Sequence, residues 1–222
     1  MGLKVVITGA TGMVGKAVLL ECLESAEVDS VLLINRSPIG LQHAKLREVL
    51  HRDFSDFSAI EAELQGLDAC FYCMGVSAFR KSEAEYARFT VDYTQAFLAI
   101  LKKGSPQSVV IYVSGSGTDS SEKGRVMWAR VKGRTENLIL NAGFKDAYAF
   151  RPGFILPQKG VRSKTRLYQF FYDVLRPFYP LIKRLPSVVT SSEVGRAMIR
   201  LAQQPQTLKH LENKDIRQAA KG

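Results

Sequence analysis

Three glycines at three-residue spacing are the first residues of this chain that could bind a ligand. Gly9, Gly12 and Gly15 directly follow the apolar run Lys4–Thr8. Gly9 would allow a tight turn, Gly12 would let the backbone approach a phosphate, and Gly15 would let a helix pack close to the strand. The helix start offers free N–H groups and a positive dipole end to an anion. The pattern predicts a cradle for the pyrophosphate of a dinucleotide, with a plain strand–helix packing device as the alternative. The cradle residues are Gly9, Thr11, Gly12, Met13, Val14 and Gly15.

Two later segments suit the adenosine end of such a ligand. The apolar run Val31–Ile34 is followed closely by Arg36 and Ser37, where an NAD-binding protein usually carries an acid for the ribose 2′-hydroxyl. A guanidinium suits a 2′-phosphate instead, with the Ser37 hydroxyl as a second donor, so the sequence favours NADP over NAD. A solvated surface arginine is the alternative. Asp53 either accepts a hydrogen bond from the adenine amino group or forms a turn.

The elements that position these residues alternate along the chain. Apolar runs of strand length occur at 3–8, 30–34, 47–51, 67–73, 108–113 and 146–150, and helix-length amphipathic segments at about 12–26, 82–103, 126–141 and 191–203. This alternation predicts a single α/β domain over 1–222 with a Rossmann-like, doubly wound parallel sheet in the strand order 3-2-1-4-5-6. The ligand crevice then lies at the carboxyl ends of strands one and four. Ser191 or Ser192 is expected to be the N-cap of the last of these helices.

The composition limits the class of protein. The chain has 222 residues and a net charge of +10, and no apolar run approaches the ~20 residues that span a bilayer. No signal-peptide pattern is present, so the sequence predicts a cytoplasmic protein. Much of the positive charge surrounds an aromatic-rich stretch within 162–185. Because no nucleic-acid-binding motif accompanies it, nucleic acid is not an expected partner.

The cysteines and histidines do not have the spacing of metal ligands. Cys70 and Cys73 form a CxxC inside an apolar run, and residues three apart on a strand face opposite sides of the sheet. They are therefore predicted to be buried strand cysteines. The three histidines are scattered, and no metal is expected.

Taken together, the motifs resemble those of the short-chain dehydrogenase/reductase superfamily. The similarity is to its atypical or extended branch of NAD(P)-dependent epimerase-like and NmrA-like proteins, above all to the TIP30 (Tat-interacting protein) family. The motifs cover nearly the whole chain: Thr8–Gly15, Cys73–Ser77, Val113–Ser116, Arg130–Glu136 and Arg151–Gly153. The resemblance implies an NADP(H)-binding oxidoreductase or epimerase-like protein that acts on a small carbonyl or alcohol substrate.

The same resemblance implies roles for residues after strands four and six. Cys73 and Gly75 form a small-residue turn against the cofactor. The turn that contains Pro152 and Phe154 lies along the nicotinamide, with an ordinary loop as the alternative. The segment 158–188 is expected to form a small C-terminal cover over a partly apolar substrate. A homodimer contact and peripheral membrane association are the alternatives for that segment.

The resemblance also assigns the catalytic positions. Ser116 or Ser114 binds the substrate oxygen, with Ser116 preferred, and Lys132 matches the lysine of a Tyr-x-x-x-Lys pair that holds the nicotinamide ribose. Trp128 stands where the tyrosine of that pair is expected. An indole donates a hydrogen bond but does not ionise usefully, so a non-catalytic NADP(H)-binding regulator or redox sensor is the alternative function. If the protein is catalytic, another tyrosine would have to replace Trp128 as the proton donor. The candidates are Tyr112, Tyr148, Tyr168 and Tyr172.

Overall fold

The computed structural model describes residues 2–161, 179–183, 185 and 187–221. Its strands are β1 (Leu3–Thr8), β2 (Val28–Asn35), β3 (Leu46–Leu50), β4 (Ala69–Tyr72), β5 (Val109–Val113), β6 (Asp146–Arg151), β7 (Phe154–Leu156), β8 (Val188–Thr190) and β9 (His210–Glu212). The main sheet is parallel and has the order β3-β2-β1-β4-β5-β6-β9, while β7 and β8 form a separate parallel pair. This confirms the Rossmann-like α/β fold and the predicted order of the first six strands. It adds β9 beside β6.

The helices lie close to the predicted segments. They are α1 (Met13–Glu24), α2 (Glu83–Ala87), α3 (Tyr93–Gly104), α4 (Met127–Leu140), α5 (Tyr179–Ile182), α6 (Ser191–Gln203) and α7 (Asn213–Ala219). The expected single helix over 82–103 is interrupted, because a π-helical turn at Arg88–Asp92 joins α2 to α3. The expected N-cap at Ser191 or Ser192 is wrong. Thr190 caps α6, since its side chain accepts from the Glu193 N–H while the Glu193 carboxylate binds the Thr190 N–H.

Alternating strand residues divide the core into two layers. On β1, Val5 and Ile7 pack with α1 and α6 on one face of the sheet, while Val6 packs with α3 and part of α4 on the other. Cys70 belongs to the second layer and Cys73 packs against the first. The opposite orientation of the two cysteines is therefore confirmed, although β4 ends before Cys73, which is only half-buried.

The connections that follow β1, β2, β3, β4, β5 and β6 leave the sheet at one edge, because the strands are parallel. This edge carries the residues singled out from the sequence. Most of the segment 158–188 lies outside the described residues, as do Tyr168, Tyr172 and most of the basic aromatic stretch within 162–185. In the part of the chain that is described, no helix is both long enough and apolar enough to cross a membrane.

Candidate functional site

Two positions between the end of β1 and the first turn of α1 can accept only glycine. Gly9 has φ +74°, and a Cβ there would lie 2.5 Å from the carbonyl oxygen of Cys73. A Cβ on Gly15 would collide with the carbonyl oxygen of Gly9. Gly12 N–H donates to Gly9 O at 2.9 Å, and Lys16 N–H makes the first hydrogen bond of the helix, to Gly12 O at 2.9 Å. The N–H groups of Met13, Val14 and Gly15 therefore have no intrahelical partner. The turn thus brings unpaired donors and the positive end of α1 to one place.

A cavity of about 290 Å³ opens beside this turn. Its walls come from the ends of β1, β2, β3 and β4 and from the helical segment after β4. The lining residues are Gly9, Thr11, Gly12, Ile34, Asn35, Arg36, Arg52, Phe54, Cys73, Met74, Gly75, Val76, Phe89 and Tyr93. The cavity therefore gathers glycines of the cradle, Arg36, and the small-residue turn after β4. Met13, Val14, Gly15 and Ser37 lie next to it without lining it.

The end of the cavity at β2 and β3 is basic. Arg36 and Arg52 line it, and both are exposed. Asp53 is not among the lining residues, and its Oδ1 accepts from the N–H and hydroxyl of Ser55, at 2.9 and 2.5 Å. These two hydrogen bonds hold the pKa of Asp53 below its usual value. Asp53 therefore forms the turn considered from the sequence, and its contact with an adenine amino group stays a prediction.

Aromatic side chains form another wall of the cavity. The rings of Phe89 and Tyr93 meet edge to face with centroids 5.5 Å apart, and Phe54 lies 6.3 Å from Tyr93. Phe89 belongs to the π-helical turn and Tyr93 begins α3, so the π turn sets the relative position of these rings. A wall of this kind suits a flat ring such as adenine. The sequence analysis did not identify this aromatic wall. The signal that could have found it is the spacing of four residues between Phe89 and Tyr93.

Cys73 and Gly75 also line the cavity, and Cys73 lies beside Gly9 of the glycine turn. Burial raises the pKa of the Cys73 thiol to about 12, so this side chain is neutral at pH 7 and adds no negative charge beside a bound phosphate. Its N–H donates to Thr8 O at 3.2 Å, which continues the pairing of β1 and β4 by one residue.

The two candidate serines after β5 have different surroundings. Ser114 is buried, and its hydroxyl donates to Glu136 Oε1 at 2.5 Å, with Phe150 O at 3.1 Å. Ser116 is exposed, and its N–H donates to Pro152 O at 3.0 Å. The hydroxyl of Ser114 is therefore engaged inside the protein, whereas Ser116 stands at the surface of the same edge.

Lys132 and Trp128 lie on one face of α4, below the turn that carries these serines. Lys132 Nζ donates to Ser114 O, and a Cβ added at Gly115 would lie 3.6 Å from this nitrogen. Burial lowers the pKa of Lys132, an effect that the charge of Glu136 opposes. Trp128 packs below the turn, with its Cη2 atom 3.5 Å from a Cβ added at Gly117.

Glu136 is a site residue that the motif analysis left without a role. Its carboxylate is fully buried and binds the Arg151 guanidinium, with Oε1 2.9 Å from Nε and Oε2 2.5 Å from Nη2. It also accepts from Ser114 and, at 2.9 Å, from Ser120. The pairing with Glu136 raises the pKa of Arg151. One buried carboxylate thus ties together the chain segments after β5 and β6.

The turn after β6 is fixed by the C-terminal helix α7. Pro152 is buried, and Phe154, the first residue of β7, is exposed. Gly153 N–H donates to Asn213 Oδ1 at 3.0 Å, and Asn213 Nδ2 donates to Ser187 O. Asn213 therefore positions the turn in which the sequence placed a nicotinamide contact.

The structure thus brings the predicted residues together as two groups. One group lines the cavity, and the second lies at the ends of β5 and β6, outside the lining. The second group consists of Ser114, Ser116, Trp128, Lys132, Pro152 and Phe154. Of the described tyrosines considered as substitutes for Trp128, Tyr112 is buried in the core and the Tyr148 hydroxyl binds Asp146 at 2.6 Å.

Another cleft, of about 350 Å³, lies between α1 and α6. Its lining is largely charged, and it contains the pair Arg196–Glu21, whose atoms are 3.8 Å apart. Neither the glycine turn nor the start of α1 reaches it, so the cavity beside the glycine turn is the candidate functional site. Among the described residues, no cluster of His, Cys, Asp and Glu has the arrangement of a metal site.

The fold and the glycine turn define a Rossmann-like protein with the architecture of a dinucleotide-binding domain. The model of the NAD dependent epimerase/dehydratase family matches residues 5–124, more than half of the chain. The chain belongs to this family, and its motifs and relatives place it among atypical short-chain dehydrogenases/reductases. The family resemblance predicted from the sequence is confirmed.

Two relatives show how far the similarity extends. Protein HTATIP2 of Rattus norvegicus, of the TIP30 family, is 28% identical over 154 residues, which are 68% of this chain and 62% of the rat protein. The chain thus spans less than two thirds of that relative. Protein FMP52, mitochondrial, of Debaryomyces hansenii is 23% identical over 207 residues, 90% of this chain and 88% of the fungal protein.

Solved structures share the fold at low sequence identity. An oxidoreductase of the short chain dehydrogenase/reductase family from Burkholderia thailandensis has a TM-score of 0.68 at 17% identity, over 96% of this chain and 91% of the other. Gre2 of Candida albicans, in complex with NADPH, has a TM-score of 0.70 at 15% identity, over 95% of this chain and 77% of Gre2. WbmH of Bordetella bronchiseptica, in complex with NAD⁺, has a TM-score of 0.68 at 16% identity, over 95% of this chain and 74% of WbmH. These likenesses establish the fold.

Proposed function

We propose that this chain is an NADP(H)-binding oxidoreductase or epimerase-like protein that acts on a small, partly apolar carbonyl or alcohol substrate. The observation that carries the proposal is the glycine turn at Gly9–Gly15, which leaves backbone N–H groups unpaired at the start of α1, beside a cavity. Side chains at Gly9 and Gly15 would collide with backbone atoms of the turn and its neighbour, so the residues present suit a pyrophosphate.

The preference for NADP over NAD rests on Arg36. Its guanidinium lines the end of the cavity that follows β2, the position of the adenosine ribose in Rossmann-like folds. No carboxylate is among the described residues that line the cavity. Gre2 was solved with NADPH and WbmH with NAD⁺, so the shared fold admits both cofactors and the side chain after β2 is what supports the choice.

The second group of residues would serve the reacting end. NADPH, when bound, would supply a hydride to a carbonyl carbon. Lys132 Nζ would hold ribose hydroxyls, and the exposed Ser116 would donate a hydrogen bond to the substrate oxygen. Lys132 is the titratable side chain nearest to the turn at Gly115, and burial lowers its pKa.

Trp128 favours a second candidate function, a regulator that binds NADP(H) without turning it over. The indole cannot exchange a proton with a substrate oxygen as a phenol can. In this alternative, cofactor binding would change the conformation of the protein or its affinity for a partner.

Two measurements test the proposals. First, NADPH and NADH affinities are measured for the native chain and Arg36→Asp, and we expect NADPH binding to weaken more than NADH binding. Equal weakening would show that Arg36 does not contact a 2′-phosphate. At 100 times its dissociation constant NADPH should stabilise the native chain by about 2.7 kcal/mol, as seen in thermal unfolding.

Second, NADPH oxidation is followed with a panel of aldehydes and quinones. If the native chain oxidises NADPH, we compare Lys132→Ala with Lys145→Ala, a control at an exposed site. Loss of turnover in the first variant and not in the second would exclude the regulator as the function. Tight NADPH binding without turnover on any substrate would count against the enzyme.

We also propose a cytoplasmic location, which the free thiols of Cys22, Cys70 and Cys73 support, because thiols persist in reducing compartments. The name of FMP52 includes the word mitochondrial, so fractionation of the native cells is the deciding measurement.

For the cover segment 158–188 we propose contact with the substrate. Flotation with anionic vesicles tests the membrane alternative, and sedimentation tests the homodimer alternative.

A further inference from the structure

Two arginines leave neighbouring strands at the same edge of the sheet. Asn35 pairs with Leu50 at the end of the β2–β3 ladder, and His51 N–H donates to Asn35 O at 2.9 Å, which extends the pairing by one bond. Arg36 and Arg52 follow directly on these paired residues. Both line the same end of the cavity.

Neither guanidinium is neutralised within the described part of the chain, where neither has an ion-pair partner. The acids nearby in the chain are engaged elsewhere. Asp53 binds Ser55, while Glu48 accepts from Asn35 Nδ2 at 2.7 Å and from Ile39 N–H at 3.0 Å. The result is two uncompensated positive charges at one end of a cavity.

The turn that carries Arg52 is held in place. His51 is buried, and its Nε2 lies 2.6 Å from Asp53 O and 2.7 Å from Asp56 O. Because both neighbours are carbonyl oxygens, Nε2 carries the proton and donates to them. The His51 ring also stacks on Phe57 with centroids 4.9 Å apart. These contacts fix the backbone on either side of Arg52, so its position beside Arg36 follows from the fold.

We propose that Arg52 is a second ligand of the cofactor 2′-phosphate, so that Arg36 and Arg52 form a subsite for a dianion. The proposal rests on the NADP(H) binding proposed above. Two guanidinium groups at one place repel each other, and a phosphate monoester, which carries close to two negative charges at pH 7, relieves that repulsion. Guanidinium groups also bind phosphate oxygens in pairs, which an ammonium does less well.

The experiment measures affinities by calorimetry for four probes: NADPH, NADH, adenosine 2′,5′-bisphosphate and adenosine 5′-monophosphate. Arg52→Gln is expected to weaken NADPH and the bisphosphate about tenfold or more, and to change NADH and the monophosphate by less than about twofold. Arg52→Lys should keep part of the lost affinity, and the loss should shrink as salt rises. The matched control is Arg47→Gln on β3, where the guanidinium is exposed and binds Glu63 at 2.5 Å; it should leave all four affinities unchanged.

Several outcomes would overturn the inference. If Arg52→Gln and Arg52→Lys weaken NADPH and NADH equally, Arg52 stacks on the adenine ring instead of binding phosphate. If Arg52→Gln leaves all four affinities unchanged while the native chain binds NADPH, the subsite is wrong and the proposed function stands. If the native chain binds none of the four probes, the proposed cofactor itself is wrong.

Discussion

At the scale of single residues, Trp128 and Lys132 share one face of α4, one turn apart. The position of Trp128 decides whether a proton donor stands beside the lysine. Lys132 Nζ already lies against the turn after β5, where it donates to Ser114 O. A phenol at position 128 would meet a nearby positive charge that lowers its pKa.

We therefore expect Trp128→Tyr to raise NADPH-dependent carbonyl reduction by about tenfold or more, since a positioned general acid contributes 10²–10⁴-fold. Tyrosine is smaller than tryptophan, so it should fit below Gly117 without overpacking. Steady-state rates, with NADPH affinity measured in parallel, give the result. Trp128→Phe is the control, and a tyrosine variant no faster than the phenylalanine variant would show that the site lacks the geometry for proton transfer.

The single-residue assignments show where sequence reasoning succeeds and where it stops. Gly9 and Gly15 were predictable because the local backbone needs a positive φ at Gly9 and brings Gly15 against Gly9 O, whereas the contact of Gly9 with Cys73 O appears only in the fold. The burial of Glu136 was not, since a glutamate on an amphipathic helix usually faces water and only the fold brings Arg151 to it. For Asp53 the sequence left two roles open, and its observed partner is a local one, the N–H of Ser55 two residues away.

At the scale of elements, α4 approaches the connection after β5 more closely than a side chain would allow. A Cβ at Gly133 would collide with the carbonyl oxygen of Asp119, and Asp119 N–H donates to Ala129 O at 3.1 Å. The helix and the connection are therefore in backbone contact. This contact places Ser120 within reach of Glu136.

Gly133→Ala should destabilise the protein although alanine favours helix by about 1 kcal/mol over glycine. The new methyl group would overlap the Asp119 carbonyl oxygen, so the connection after β5 would have to move. Overpacking of this kind costs about 1–3 kcal/mol or more. We expect a net loss of at least about 2 kcal/mol in the free energy of unfolding, measured in urea. Gly75→Ala is the control for stability, because a Cβ there meets nothing within 4 Å. Equal stabilities of the two variants would contradict the close contact.

The secondary-structure elements differ in how well the sequence predicts them. The first six strands of the sheet were each predicted to within two residues at either end, although β3 also contains Arg47 and Glu48. Strand β9 has a single apolar residue, Leu211, between His210 and Glu212, so it has no strand signature. It forms only because β6 offers an unpaired edge. The π turn at Arg88–Asp92 is likewise hidden, because it inserts into a segment whose composition suits an ordinary helix.

At the scale of the whole molecule, the C-terminal residues complete a site whose other parts come from residues 9–154. Strand β9 closes the sheet beside β6, and α7 follows at once. Asn213, at the start of α7, joins the turn after β6 to the chain before β8, through Gly153 N–H and Ser187 O. A side chain sixty residues away in sequence thus holds the turn that contains Pro152 and Gly153.

Asn213→Ala removes these two hydrogen bonds, and a longer one from Asn213 Nδ2 to Phe154 O at 3.5 Å, while keeping a residue that favours helix. Because the two partners lose their bonds together, we expect a loss of about 1–3 kcal/mol in the free energy of unfolding. Hydrogen exchange should rise most at 151–156 and 187–190, and should stay unchanged in β1 and β2, which are paired on both sides. The exposed neighbour supplies the control, Lys214→Ala, which should alter neither quantity. Exchange that rises evenly over all strands would mean that Asn213 supports the fold in general and does not hold this turn in particular.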